Sequence, residues 1–214
     1  MRFSFLLAVF FAVFANGQRS DFGHIDFKQA DSVAALQKGK SLQNLPVLVH
    51  KLTTNLATDV EKFRAIYTWV STNIENDYGA FLTTRQKRKK LAENREAFLE
   101  WNTNFTPKVF ERLLKDKKTA CTGYAYLIRE MALLAGLQCK IVNGYGRTPT
   151  LLLDTESTPN HSWNTIKIDG KWYLCDATWS AGRVMLEENG PQFQSDYFDG
   201  YFLADPELFV KNHY

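Results

Sequence analysis

The sequence predicts one α+β domain, helices first and an antiparallel sheet after them, preceded by an N-terminal appendage. Three observations carry that reading. Apolar residues recur at helical spacing as far as Gly136. Beyond it the period falls to two, and Asp169-Gly170 separates two alternating runs as a hairpin turn does. At 214 residues, 45% hydrophobic and 14% aromatic, the chain can bury one good core. A net charge of +3 leaves no electrostatic footprint of a nucleic-acid binder.

The start, "MRFSFLLAVFFAVFANGQ", has the layout of a secretory signal peptide over residues 1–17. Arg2 opens it, Phe3 to Phe14 form an apolar run, and Ala15-Asn16-Gly17 place cleavage before Gln18. A membrane span needs about 20 apolar residues, so the mature chain is expected to be exported and soluble, periplasmic or extracellular, in a bacterium. Residues 18–57 read as a lead-in, loosely attached over 18–40, with a short helix between Ser41 and Leu56 interrupted by Pro46. The domain proper is expected over 58–214.

Thr58 and Glu61 have capping-box spacing, and Val60, Phe63, Tyr67, Val70 and Ile74 fall on one helical face. The basic run "RQKRKKLAENRE" reads as a solvated helix or loop. Thr106-Pro107 predicts the cap and first residue of another helix, apolar at Phe110, Leu113 and Leu114. A further helix starts after Thr119, buries Tyr124, Leu127, Ile128, Met131 and Ala135, and closes at Gly136. "CKIVNGYG", "HSWNTIKID" and "KWYLCDATW" read as strands. Residues 180–204 read as irregular, and Asp205-Pro206 as the cap of a last short helix.

The chemistry centres on Cys121, in the first turn of a helix. Backbone N–H groups and the helix dipole there favour a thiolate, and small Thr122 and Gly123 leave room for substrate. A cysteine near a helix start is more often packing than chemistry. His161 and Asp176 change the balance. They lie on consecutive strands across the Asp169-Gly170 hairpin, whose turn pairs 161 with 178 and 163 with 176. A register shift of one or two residues brings His161 to Asp176, and the carboxylate would then hold the imidazole toward the thiol. His24, His50 and His213 have no such company and read as surface or satisfied core residues. No cluster has metal-ligand spacing. Of the three cysteines, Cys139 and Cys175 would be the easiest to join, leaving Cys121 as the odd thiol.

"ACTGYAYLIREMALLAGLQCKIVNGYG", "HSWNTIKIDGKWYLCDATW" and "YFLADPELFVKNH" resemble the transglutaminase-like superfamily, closest to its bacterial and kyphoscoliosis-peptidase-like branch. "EKFRAIYTWVSTNIENDY" is similar to that branch's tryptophan-containing helix. The resemblance covers about residues 58–213. It implies a papain-like core in which a nucleophile-bearing helix packs on an antiparallel sheet carrying histidine and aspartate. By position it makes Cys121 the nucleophile, His161 the base and Asp176 its orienter. The Cys121 N–H would be one oxyanion donor; Trp69 and Trp101 are candidates for the second. This chain departs from the family in reading Asn76-Asp77-Tyr78 where Tyr-Asp is usual, and in the long basic insertion that follows. No residues match the calcium sites of the animal enzymes, so no calcium, metal or cofactor is expected.

These readings converge on an exported cysteine-dependent acyl-transfer enzyme acting on protein or peptide amides through a thioester. Hydrolysis is favoured over transamidation, and Tyr124, Tyr145, Trp163 and Trp179 are candidate cleft walls that core packing would explain equally well. The rival from another class is a non-catalytic binding or scaffolding module. An arylamine acetyltransferase shares the Cys-His-Asp order but not the Asp-Ala-Thr-Trp context. Sequons occur at Asn104 and Asn160, and a glycan on Asn160 would crowd His161.

Overall fold

The computed structural model describes residues 18–147 and 159–214, apart from the Leu186 side chain. The signal segment expected over 1–17 lies outside them. No helix among the described residues is long and apolar enough to cross a membrane.

Helix α3 (Asp59–Asn73) is the centre of the molecule. Its capping box forms as the sequence predicts, with Thr58 and Glu61 satisfying each other's backbone N–H. Phe63, Ile66, Tyr67, Trp69 and Val70 are fully buried. Against α3 pack α1 (Lys28–Leu36) and α2 (Leu45–Thr53), with a 3-10 turn (Arg19–Phe22) ahead of them. Residues 18–40 are therefore not a loose lead-in: Phe22, Ala30 and Ala34 belong to the same core as α3. Pro46 does not interrupt α2 but lies in its first turn, where a missing N–H costs nothing, and Asn44 supplies the cap.

After α3 a two-residue strand, β1 (Glu75–Asn76), pairs in parallel with β2 (Lys118–Thr119). Between them the chain makes a helical excursion, α4 (Tyr78–Lys90) and α5 (Arg95–Asp116). The basic run is thus mostly helix. Asp77 caps α4, accepting from the Ala80 N–H, and binds Arg112 of α5 at 2.6 Å, closing the excursion at its base. Helix α5 does not begin at Thr106; it starts after Asn94 and carries Pro107 inside it. The Thr106 hydroxyl bonds back to the Asn102 carbonyl, and the Phe98, Trp101 and Phe105 rings, one turn apart, hold the helix ahead of the proline. Leu113 is buried, whereas Phe110 and Leu114 are exposed.

Helix α6 (Cys121–Leu134) buries Tyr124, Leu127, Ile128 and Met131 and ends before Gly136, whose φ of 81° only glycine adopts freely. It lies across an antiparallel sheet of β3 (Gln138–Gly144), β4 (His161–Ile168) and β5 (Lys171–Cys175), with β4 in the middle. The β4–β5 turn has Asp169 and Gly170 both at positive φ, the two-residue hairpin geometry the Asp-Gly pair predicts. Asp176 ends β5 and caps α7 (Ala177–Ala181), so the Asp-Ala-Thr-Trp segment turns helical. Residues 182–195 are not irregular. They form a second hairpin, β6 (Gly182–Glu187) with β7 (Gly190–Ser195). A 3-10 turn at Asp199–Tyr201 leads to α8 (Pro206–Phe209), capped by Asp205 as expected.

All three cysteines are free. Cys139 on β3 and Cys175 on β5 have β4 between them, which puts their Cα atoms about 10 Å apart at two strand spacings, beyond a disulfide's reach.

Candidate active site

Cys121 is the first residue of α6, following Ala120, which caps without a side-chain hydrogen bond. Thr119, the cap the sequence suggests, belongs to β2 instead, and its hydroxyl has no partner among the described residues. At this position the Cys121 and Thr122 N–H groups have no carbonyl one turn back to accept them. Gly123 serves packing rather than substrate: a Cβ there would stand 1.8 Å from Thr119 Oγ1. Glycine lets α6 sit directly against β2.

The sheet supplies the base. Asn164 of β4 donates to the Ala125 carbonyl at 2.9 Å, pinning the strand to the second turn of α6. Ser162 Oγ lies 3.4 Å from Thr122 Oγ1 and donates to Asn143 Oδ1 at 2.7 Å. These contacts set His161 beside Cys121 on one cleft, where the imidazole acts on the thiol. A Cβ at Gly146 would stand 3.1 Å from His161 Cβ, so glycine there lets the β3 end close over the ring.

Asp176 meets His161 by a route the hairpin register did not suggest. The register is the unshifted one, with Asn164 opposite Cys175. Contact arises because β5 stops at Cys175 and Asp176 swings into a cap. Its Oδ1 accepts the Thr178 and Trp179 N–H groups at 2.8 and 3.1 Å, and its Oδ2 lies 2.6 Å from His161 Nε2. Since Nε2 faces Asp176, Nδ1 is left for the thiol. Tyr67 of α3 holds the Asp176 backbone, donating to its carbonyl at 2.8 Å.

A second histidine joins this group. His213 Nε2 is 2.9 Å from the same Oδ2, so the reading of His213 as a residue without company is corrected: it is buried, and its company is the candidate triad. Sequence spacing gave no sign of it, because α8 and a backbone bridge between Gly146 and His213 bring it there. His161, Asp176 and His213 place three potential metal ligands within 4.8 Å of one another, a cluster that sequence spacing also missed. Ligand atoms around tetrahedral zinc stand about 3.3 Å apart for bonds of about 2.0–2.1 Å. Distances of 2.6 and 2.9 Å are instead those of hydrogen bonds.

Burial alone would push the Cys121 thiol up. The His161 hydrogen bond and charge, aided by the Ser162 N–H, outweigh it and hold the thiol below its ordinary value. Burial disfavours the His161 cation, but Asp176 and the thiol overcome this and raise the imidazole to about 10. Burial opposes the Asp176 carboxylate, which His161 and then His213 hold well below the usual range. His213 goes the other way: burial, with the nearby His161 charge, outweighs Asp176 and keeps its ring below ordinary histidine. The arrangement favours a thiolate–imidazolium pair oriented by a carboxylate.

Cys121, 9% exposed, lies in a cleft bordered by Phe81, Thr84, Arg85 and Arg88 of α4 and by Ala120, Thr122, Asn160, His161 and Ser162. The basic helix is a wall of the site, which its composition as a charge run concealed; Arg88 donates to the Pro159 carbonyl and ties α4 to the segment entering β4. None of the four aromatic candidates borders this cleft. Tyr124 is buried and donates to the Ile74 carbonyl; Trp163 packs on Phe209 and His213. Tyr145 stacks on Tyr214, and Trp179 covers His161 and His213. Nor do Trp69 and Trp101 border it. Trp69 is core and donates to the Gln37 carbonyl, and Trp101 stacks on Phe98 and Phe105 of α5. The Asn160 amide is bound to both the N–H and the carbonyl of Gly146, so a glycan there would break the site.

Comparison with known proteins bears on the family. Residues 47–177 match the sequence profile described as the transglutaminase-like superfamily. The human kyphoscoliosis peptidase is 32% identical over 190 residues, covering 88% of this chain and 25% of that protein. Hillarin of Drosophila melanogaster is 24% identical over 202 residues, covering 89% and 22%. The chain therefore spans about a quarter of the length of these relatives. A solved chain described as "Crystal structure of a TGase" aligns over 84% of this chain and 41% of its own, at 16% identity and a TM-score of 0.41.

Proposed function

This chain belongs to the transglutaminase-like superfamily, and we propose that it is a cysteine-dependent acyl-transfer enzyme acting on protein or peptide amides. The observation that carries the proposal is that Cys121, at the start of α6, and His161 line one cleft while Asp176 holds the imidazole at 2.6 Å. The Cys121 thiolate attacks the amide carbon, and the carbonyl electrons move to oxygen, where the Cys121 N–H donates to them. The C–N bond then breaks as His161 Nδ1 gives its proton to the departing amine, leaving a thioester. In the second half, His161 takes a proton from water as water attacks, and breaking the C–S bond releases the acid and restores the thiolate beside the imidazolium. Water is favoured over an amine as acceptor because Arg88, on the cleft wall, repels a cationic lysine. We further propose that the mature chain starts at Gln18 after export, which the intact mass of the secreted protein would test.

The test of the chemistry is Cys121 alkylation by iodoacetamide as a function of pH, in the wild type and in His161→Ala. The thiolate forms above the lowered value of Cys121, and His161 stays cationic up to about 10. Reactivity is therefore expected well below the ordinary thiol value of about 8.5, and is expected to return to that value in His161→Ala. A thiol that titrates ordinarily in both proteins, or does not react, overturns the enzyme reading in favour of a binding module.

A further inference from the structure

We propose that His213 is a positioning residue of this site, donating Nε2–H to the Asp176 oxygen that also binds His161 and so sharing the carboxylate between two imidazoles. The inference rests on the reading of Cys121, His161 and Asp176 as catalytic. It concerns a residue beyond the 47–177 segment matched by the family profile.

Asp176 has four donors: two backbone N–H groups on Oδ1 and two imidazole nitrogens on Oδ2. Both imidazoles must present N–H to an ionised carboxylate. For His161 this is the cation that faces the thiolate. For His213, whose burial and proximity to that cation favour the neutral ring, it is the Nε2–H tautomer. Nδ1 stands 2.7 Å from the Asn212 side-chain oxygen, and in this tautomer the amide turns over so that its nitrogen donates to Nδ1. As placed, the Asn212 amide nitrogen donates to the Tyr201 hydroxyl at 3.0 Å; once turned, its oxygen accepts from that hydroxyl.

The ring is held too firmly for this contact to be incidental. His213 stacks on Phe209 with centroids 3.9 Å apart, and Trp179 covers it at 4.3 Å. Its backbone is fixed to the β3 end by the Tyr145–Tyr214 pair and by the bond from Arg147 to the Asn212 carbonyl. The titratable groups facing the ring, among the described residues, are Asp176, His161 and Tyr201.

Sharing has a chemical consequence. A carboxylate with a second strong donor on the same oxygen attracts the His161 proton less. His161 must release a proton to the leaving amine, and a carboxylate undivided between two rings would hold that proton back. His213 tempers the imidazolium into a better acid without breaking the ion pair.

The experiment is the pH profile of Cys121 alkylation by iodoacetamide, with thiolate absorbance near 240 nm, in the full chain. His213→Phe keeps the aromatic packing and loses the donor; His213→Gln places an amide N–H where Nε2 stands. In His213→Phe the ion pair is expected to tighten, and the pH midpoint of thiolate formation to fall by about half a unit. His213→Gln is expected to restore it. If His213→Phe fails to fold, the comparison is His213→Gln against His213→Leu, with the same expectation. A midpoint that does not move overturns the inference, as does one that rises toward the free-thiol value in the donor-less variant, which marks a packing role alone. If the wild-type thiol itself titrates as an ordinary one, the underlying enzyme reading fails and this inference falls with it.

Discussion

Helix α3 touches two buried charge clusters, and their difference separates structure from chemistry. On one side Arg64, 5% exposed, forks onto both oxygens of Asp31 at 2.6 and 3.0 Å and bonds Asp199, which also binds Arg19. The guanidinium lies over the Phe27 and Phe202 rings. On the other side Tyr67 grips the backbone of Asp176, whose carboxylate organises two histidines and a thiol. Arg64 is about as buried as His161, although its acidic partners Asp31 and Asp199 stay partly exposed whereas Asp176 does not. What differs is the proton. A guanidinium does not release its own within the range of protein stability, so the Arg64 cluster fastens residues 19–36 and the turn at 199 to α3 and does nothing more. An imidazolium can release its proton, and the His161 cluster alone opens to a cleft.

The comparison can be broken at either pole. Arg64→Met leaves Asp31 and Asp199 without their common partner and is expected to lower the unfolding free energy by about 3 kcal/mol, measured by urea titration. The pH midpoint of Cys121 alkylation is expected to stay where it is in the same protein; if it moves with stability, the two clusters are not independent. Asp176→Asn is the complementary change. Asparagine still caps α7, but the imidazolium loses its counter-charge, so alkylation of Cys121 at pH 6 is expected to slow about 100-fold. A rate within a factor of three of the wild type would show that Asp176 is only a cap. Tyr67→Phe sharpens the contrast at the smallest scale. It removes a buried hydroxyl bonded to the Asp176 carbonyl and Ser180, at a cost of about 1 kcal/mol in stability, while shifting reactivity through the placement of Asp176. Arg64→Met has no such second effect.

How much of this was legible in the sequence depends on the range of the interactions involved. Local signals held: the Thr58–Glu61 capping box, the Asp169-Gly170 turn, and the buried stripe of α6 each rest on neighbours within one turn of chain. Cys121, His161 and Asp176 could be nominated because residue type, element type and order all agreed, although the contact is made by a strand ending and not by a shifted register. The remainder was set by tertiary placement. His213 reaches Asp176 only through α8 and the bridge to Gly146, and a histidine at the end of a polar segment has no local pattern to betray it. Arg85 and Arg88 read as solvated because nothing local states that α4 folds back over Cys121. The four aromatic candidates failed for the opposite reason: large rings flanking a nucleophile are as often its foundations as its walls. The 182–195 hairpin has no clear signature in the sequence because its glycines resemble irregular chain, whereas Gly182 and Gly190 sit at positive φ and frame the two strands.

Asp176 terminates β5, starts α7 and orients His161, with all four of its carboxylate contacts inside the protein. Cys121 is a small side chain at the first position of a helix, where serine or alanine fits the same space. Mutational decay of such a domain therefore has a preferred direction. A copy released from selection for turnover can lose its thiol and remain folded, whereas one that loses the aspartate gives up a helix cap and leaves two buried imidazoles without their acceptor. Position 121 can therefore change with the scaffold intact, whereas position 176 cannot.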